Sequence, residues 1–330
     1  MSKFEHFSAQ MAIDAVRKAA LLCAHVRANL TADGALAKND KSPVTIADYG
    51  SQAVILHLLQ AATPDIPVVA EEDADALRAD DNAALRAQVF AEVRRILPQL
   101  GNPEILAAID RGNHTGGPAG RFWTLDPIDG TKGFLRNDQY AIALALVEDG
   151  QPVMGVLGCP ELPCGHEATA KTGCLLAACR GEGAWLYPLD AGEAAPVKVS
   201  STADTALACF CESVESGHSR HDWSATVAEK LGITRPSVRM DSQCKYASIA
   251  RGDADIYLRL PTRPGYEEKI WDHAAGCLVV EEAGGTVTDI RGKPLDFSAG
   301  RTLRHNSGVV ATNGRWHDQV IAAIQAATPA

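Results

Sequence analysis

The stretch WTLDPIDGTKGF, residues 123–134, holds the densest chemistry in the chain. WTLD reads as a strand running into Pro127, and proline gives a ladder no donor, so it marks an edge, a turn or a strand end. Asp126 and Asp129 flank that break three residues apart. Turning the chain there aims both carboxylates and the Ile128 carbonyl at one point, an all-oxygen set suited to a hard divalent cation such as Mg²⁺. Gly130 and Thr131 then bring backbone N–H groups and a hydroxyl within reach of an anion. The plainer alternative is a solvated turn, since Asp, Pro and Gly are turn formers.

Upstream, Phe4, Phe7, Met11, Ala15, Ala19, Leu22, Val26 and Leu30 recur at helical spacing, which predicts a long amphipathic helix ending near Asp33-Gly34. Thr45 and Asp48 stand in the spacing of a helix start, ahead of a second helix over roughly residues 46–60. Residues 66–70 predict a short strand, halted by Glu71-Glu72-Asp73. Residues 74–99 read as a polar, Ala-rich helix, and NHTGGPAG at 113–120 reads as a connection. Downstream, FWTLD, YAIALALVEDG, QPVMGVLGCP, CLLAACRGEGAWLYPL and VKVS predict an antiparallel meander. Past residue 200, strand and helix patterns alternate. The Ala/Gly/Glu-rich stretch 190–196 is the boundary candidate. It divides an N-terminal α+β lobe, 1–195, from a C-terminal α/β lobe, 196–330.

Three more carboxylate stations join the DPID pair: Asp48, Glu71 after the strand, and Asp272 in WDHAAG at a helix opening. Singly they read as a capping-box member, a solvated strand end and a first-turn acid favoured by the helix dipole. Gathered in a cleft, such carboxylates would repel one another strongly without cations, and they match what a two- or three-metal phosphatase site requires.

The chain is acidic, with 31 Lys+Arg against 41 Asp+Glu and a net charge of −10 over 330 residues, which argues against a generic nucleic-acid binder. Against that background Lys245, Arg251, Arg259, Arg263 and Lys269 form a local basic cluster, with His218 upstream. Lys245 follows Ser242 by three, and Arg259 sits inside an apolar strand pattern, so both are placed to grip a second phosphate. Arg251 and Arg263 read as solvated ion pairs, and His218 as a surface residue or a partner for a base. The nine cysteines lack zinc spacing and any CxxC pair and read as reduced thiols. There is no GxSxG, P-loop or helix-opening GxGxxG. With no membrane-length apolar run and no signal-peptide pattern, a soluble cytoplasmic protein is expected.

VAEE at 69–72, WTLDPIDGT at 123–131 and WDHAAG at 271–276 resemble, in order, the signatures of the magnesium-dependent, lithium-sensitive inositol monophosphatase superfamily. KSPVTIADYGSQA, the GFLR segment, SVESGHSRHD, DSQCKY and YEEKIWDHAAG extend the likeness over nearly the whole chain, to the 3'(2'),5'-bisphosphate nucleotidase branch. The resemblance implies a layered αβαβα sugar-phosphatase fold and 3'-dephosphorylation of adenosine 3',5'-bisphosphate (PAP) to AMP, with the sulfated PAPS as a further substrate. It implies a first Mg²⁺ on Glu71, Asp126 and the Ile128 carbonyl, and a second on Asp126, Asp129 and Asp272, with Glu71 shared with a third and Li⁺ inhibitory. Asp48 and Thr131 would orient and deprotonate the attacking water, while the Gly130 and Thr131 N–H groups bind the scissile phosphate. Ser242, Lys245 and Arg259 would meet the 5'-phosphate, and Glu215 and His218 the nucleoside. Ala70 and Asp73 stand where the family generally has Gly and Ser, and segment 74–120 matches no motif. Two alternatives stay open: an inositol phosphate substrate, and a non-catalytic nucleotide sensor. The expected partner is a small nucleotide bisphosphate rather than a nucleic acid or a membrane, with the oligomeric state open and a monomer compatible.

Overall fold

The computed structural model describes residues 3–32, 42–165, 172–190, 192–215, 219–263 and 265–327. A seven-stranded sheet follows sequence order: β1 (Val68–Ala70), β2 (Arg121–Asp129), β3 (Ala141–Glu148), β4 (Gln151–Pro163), β5 (Thr172–Cys179), β6 (Ala184–Pro188) and β7 (Ala195–Val197). Only β1 and β2 pair in parallel; the remainder is the expected meander. A second sheet of five strands has the order β11 (Thr286–Thr288), β12 (Val309–Thr312), β10 (Ile256–Arg259), β8 (Phe210–Glu212), β9 (Val238–Arg239).

Strand periodicity assigns the layers. On β3, Ile142, Leu144 and Leu146 face one way, into a core shared with α1 (Lys3–Ala32) and α2 (Ser42–Ala62). Ala141, Ala143, Ala145 and Val147 face the other way, toward α8 (Cys244–Ala250) and α9 (Ala274–Glu282), which also cover Tyr257, Val287, Val309 and Ala311 of the second sheet. The outer face of that sheet, with Phe210, Ile256, Leu258 and Val310, packs on α7 (His221–Lys230) and α10 (His317–Ala326). The result is an αβαβα stack. Its middle helical layer is pressed close by small side chains: a methyl on Gly155 would lie 2.9 Å from the Ala275 carbonyl oxygen.

Several expectations are corrected. The predicted 74–99 helix is broken into α3 (Asp75–Arg78), a 3₁₀ turn over Asp80–Asn82, and α4 (Ala83–Ile96), because Ala79 is extended and the Asn82 amide donates to the Ala76 carbonyl instead of continuing a helix. The sequence reading has no element between 100 and 112, where α5 (Asn102–Asp110) starts on Pro103 and buries Ile105 and Ile109. Helix α2 begins at Ser42, so Asp48 lies inside it and caps nothing. Strand β2 does not stop at Pro127. It bulges there, three steps from Asp126 to Asp129 matching two from Ala143 to Ala141, after β1 has ended opposite Leu125. The short helix α6 (Thr131–Arg136) follows at once.

Gly155→Ala should force α9 away from β4 and cost about 1–3 kcal/mol. A denaturant midpoint equal to that of the unsubstituted protein would contradict this packing.

Candidate active site

Parallel pairing brings the C-terminal ends of β1 and β2 side by side, so Glu71 follows one strand where Asp126 and Asp129 end the other. Helix α2 grips both ends. The Ser51 hydroxyl donates to the Pro127 carbonyl at 3.0 Å, and the Gln52 amide donates to the Glu72 and Ile109 carbonyls at 2.6 and 2.9 Å while accepting the Glu72 N–H at 3.1 Å. A 3₁₀ turn (Ile270–Asp272) just before α9 contributes Asp272. Gln243 ties the end of β2 to this turn and to α9: its backbone N–H donates to Asp129 Oδ2 at 2.6 Å, its side chain donates to the Trp271 carbonyl at 2.9 Å, and its Oε1 accepts the Gly276 N–H at 3.1 Å. Beside it Gly130 takes φ +91, and a Cβ there would lie 2.8 Å from that of Ser242. A side chain fits neither the backbone conformation nor the space.

These elements enclose a cavity of about 410 Å³ lined by Glu71, Asp126, Ile128, Asp129, Gly130, Thr131, Lys132, Asp241, Ser242, Lys245, Arg259, Tyr266 and Asp272, among others. The volume suits a small-molecule site. Part of the lining is acidic. Burial, then the Asp272 and Glu72 charges, push the Glu71 carboxyl up to about 8. Glu71 presents surface to solvent at the cavity mouth while neighbouring groups enclose it on its other sides, so water moderates that shift without reversing it. Burial, followed by the charges of Glu71, Asp129 and Asp272, raises Asp126 well above the usual range, and Asp129 is raised by burial and Asp272. Carboxylates that burial and mutual repulsion drive toward protonation, with the Ile128 carbonyl among them, are a donor set that divalent cations would stabilise, and they fit Mg²⁺.

The same cavity also holds cations beside these acids. Lys245 is 3% exposed, with Nζ 3.4 Å from the Met240 carbonyl and 5.3 Å from the Tyr257 ring. Burial lowers its pKa against the pull of Asp129. Arg259 contacts Glu268 at 2.7 Å and Asp272 at 3.2 Å. Among the described residues, the tightest group of potential ligating atoms is Glu268, Asp272 and His273, all within 4.8 Å. Arg259 already bridges its two carboxylates, and His273 Nδ1 lies 2.8 Å from the Tyr246 hydroxyl, so this group is an ion-pair network.

The cavity therefore gathers Glu71, Asp126, Ile128, Asp129, Gly130, Thr131, Ser242, Lys245, Arg259 and Asp272. Asp48 is not in its lining. It is 8% exposed on α2, and burial, with the Glu72 and Glu71 charges, raises its pKa. Glu215 lies at the rim, holding Lys132 at 2.9 Å and Arg136 at 2.6 Å. His218 lies outside the described residues. Sequence reasoning quoted the stretches that contain Ser51, Gln52 and Gln243 but gave these residues no role; they hold main-chain atoms. Arg136, at the end of GFLR, had no role either, and it ion-pairs Asp138, Glu215 and Asp241.

The stack and the acid-lined cavity define a metal-site phosphatase fold, and residues 6–328 match the inositol monophosphatase family. The chain belongs to that family, which is metal-dependent, generally on Mg²⁺. A "3'(2'),5'-bisphosphate nucleotidase" of Schizosaccharomyces pombe is 48% identical, the match covering 97% of this chain and 95% of that one. A protein of the same name from Oryza sativa is 45% identical over 94% of this chain and 91% of its own. The inositol monophosphatase of Anabaena superposes with a TM-score of 0.63 at 21% identity, over 99% of this chain and 98% of that one. An inositol monophosphatase from Zymomonas mobilis gives 0.64 at 20%, over 98% and 100%.

The raised carboxyls set a pH dependence. Their folded pKa values exceed the unfolded ones, so their contribution to stability is present below the ordinary carboxylate range and is lost as pH rises toward about 8, the value for Glu71. The metal-free protein should lose thermal stability from about pH 5 to pH 8, and saturating Mg²⁺ should restore more at pH 8 than at pH 5. A Mg²⁺ gain independent of pH in thermal melts would speak against the carboxylate cluster as the binding site.

Proposed function

We propose that this chain is a Mg²⁺-dependent 3'(2'),5'-bisphosphate nucleotidase that converts PAP to AMP and phosphate and also accepts PAPS. The observation that carries this reading is a single cavity lined by both signs of charge, a carboxylate cluster and the buried Lys245 with Arg259. A substrate with two separate phosphates satisfies both: one joins the cations on the carboxylates, and the other meets the ammonium and guanidinium directly. The names of the near-full-length relatives support the same choice.

Glu71, Asp126 and the Ile128 carbonyl would hold one ion and Asp126, Asp129 and Asp272 a second, with Glu71 shared with a third; Li⁺ would inhibit. Bound there, Mg²⁺ supplies an acidified water and stabilises charge on the transferring phosphoryl group. The Thr131 hydroxyl lines the cavity and orients the attacking water. Asp48, kept basic by burial and by Glu72 and Glu71, takes the proton by way of Thr131. Gly130 and Thr131 present N–H groups to the scissile phosphate, which the left-handed Gly130 backbone permits. Ser242 and Lys245 grip the 5'-phosphate, and Arg259 stands between that phosphate and Asp272. Glu215, steadied by Lys132 and Arg136, borders the nucleoside together with His218. The lobe division 1–195 and 196–330 assigns most metal ligands to the first lobe, and Asp272 with the nucleotide pocket to the second. Among the described residues no helix is long and apolar enough to cross a membrane, and the nine cysteines stand as thiols outside any disulfide, as a reducing cytoplasm would keep them.

Phosphate release from PAP and from inositol 1-phosphate, measured side by side with Mg²⁺, EDTA and added Li⁺, tests the reading. Metal-dependent release favouring PAP is expected. Preference for inositol phosphate would overturn the pocket assignment, and tight nucleotide binding without release would favour a sensor. Thr131→Ala should reduce kcat by about 10²-fold or more with little change in KM, and a pure KM effect would remove the water-orienting role. Lys245→Ala should raise KM for PAP while sparing a substrate that lacks the 5'-phosphate; equal losses on both would remove it from the second-phosphate subsite.

A further inference from the structure

Arg301 is not among the cavity-lining residues given above, yet it touches the residues that precede Glu71 and Asp272. Its main chain belongs to the C-terminal half of the chain. The Ile270 N–H donates to the Arg301 carbonyl at 3.2 Å, Lys269 and Thr302 form an antiparallel bridge, and the Leu303 N–H donates to the Glu268 carbonyl at 2.8 Å. Its side chain crosses to the N-terminal sheet, where Nη2 donates to the Ala70 carbonyl at 2.5 Å and Nη1 to the His114 and Gly112 carbonyls at 3.0 and 3.4 Å. The guanidinium carbon stands 4.7 Å from the centroid of a Trp271 ring. Ala70 immediately precedes Glu71, and Trp271 immediately precedes Asp272.

Glu71 and Asp272 come from opposite halves of the chain, and the Asp272 charge disfavours that of Glu71. A metal pair bound between them needs their separation fixed before the ions arrive, because any freedom there is lost on binding. A planar guanidinium can donate to three carbonyls in its own plane while lying against an aromatic face; a lysine ammonium cannot do both. We propose that Arg301 is a positioning residue that sets the spacing of Glu71 and Asp272 and thereby the affinity of the divalent-cation site. This rests on the metal reading above.

The test is calorimetric titration of Mg²⁺ into the metal-free wild type, Arg301→Lys and Arg301→Gln, with thermal midpoints and PAP kinetics measured in parallel. Both variants should bind Mg²⁺ about tenfold or more weakly. At limiting Mg²⁺ their kcat should fall by about the same factor, recovering as Mg²⁺ is raised, with KM for PAP changed by less than about threefold. Wild-type Mg²⁺ affinity in folded variants overturns the proposal. So does full affinity in Arg301→Lys alone, which would reduce the role to charge. Absence of saturable Mg²⁺ binding by the wild type overturns the metal reading and the proposal with it. If neither Arg301 variant folds, Trp271→Leu, which removes the stacking face and leaves the bonds to Ala70, decides: unchanged Mg²⁺ affinity there overturns the proposal.

Discussion

Repulsion among Glu71, Asp126, Asp129 and Asp272 is the constraint around which the centre of this molecule is arranged. Three of them stand at strand ends of one sheet and the fourth on the turn before α9, so like charges meet where these elements converge. The fold meets that cost mainly at the main chain beside each acid. Gln52 fixes the turn after β1, Ser51 the bulge in β2, Gln243 the turn holding Asp272, and Arg301 the residues just before Glu71 and Asp272. Anchoring neighbouring amides and carbonyls keeps the acids together in a protein that would otherwise relax by opening the cleft.

Close approach of the middle helices follows from choosing small side chains. Strand β3 presents Ile142, Leu144 and Leu146 to α1 and α2 but mostly alanine to α8 and α9, and Gly155 and Gly276 bring backbone or the Tyr246 ring to distances that a Cβ would forbid. Because α8 carries Lys245 and α9 follows Asp272, that packing also sets the depth of the cavity. Fold and site are therefore one problem: a bulkier residue on that face would move the ligands as well as the core.

What was legible in the sequence was local. DPIDG, the Glu71-Glu72 pair and WDHAAG each concentrate oxygen donors within a few residues of a strand or helix end, and a turn-forming Pro or Gly announces the break. The meander was legible because alternation survives in single strands. Gln52, Gln243 and Arg301 were not, because each acts on a carbonyl far away in sequence, 231 residues for Arg301 and Ala70, and no spacing encodes that. Asp48 was misplaced as a cap because the same S/T-x-x-D pattern occurs inside a helix that starts earlier. The break at Ala79 and the helix α5 were lost in an Ala-rich stretch, where propensity runs on regardless of tertiary interruptions.

Opposite charges within one cavity would ordinarily collapse into salt bridges and leave nothing for a ligand. Here the collapse is partial. Arg259 reaches Asp272 at 3.2 Å, but Glu268 holds it more closely, at 2.7 Å, and the charges of these two acids outweigh the cost of burial and keep it charged. Lys245, on α8, makes a long contact to the Met240 carbonyl and lies near the Tyr257 ring, with the Asp129 and Asp241 charges acting on it. A buried ammonium costs stability in the ligand-free protein unless acids nearby compensate it, and a purely structural role would be served better by an apolar side chain of similar size. Carboxylates driven toward protonation beside cations that are only partly paired leave the cavity complementary to a ligand that brings charge of both signs.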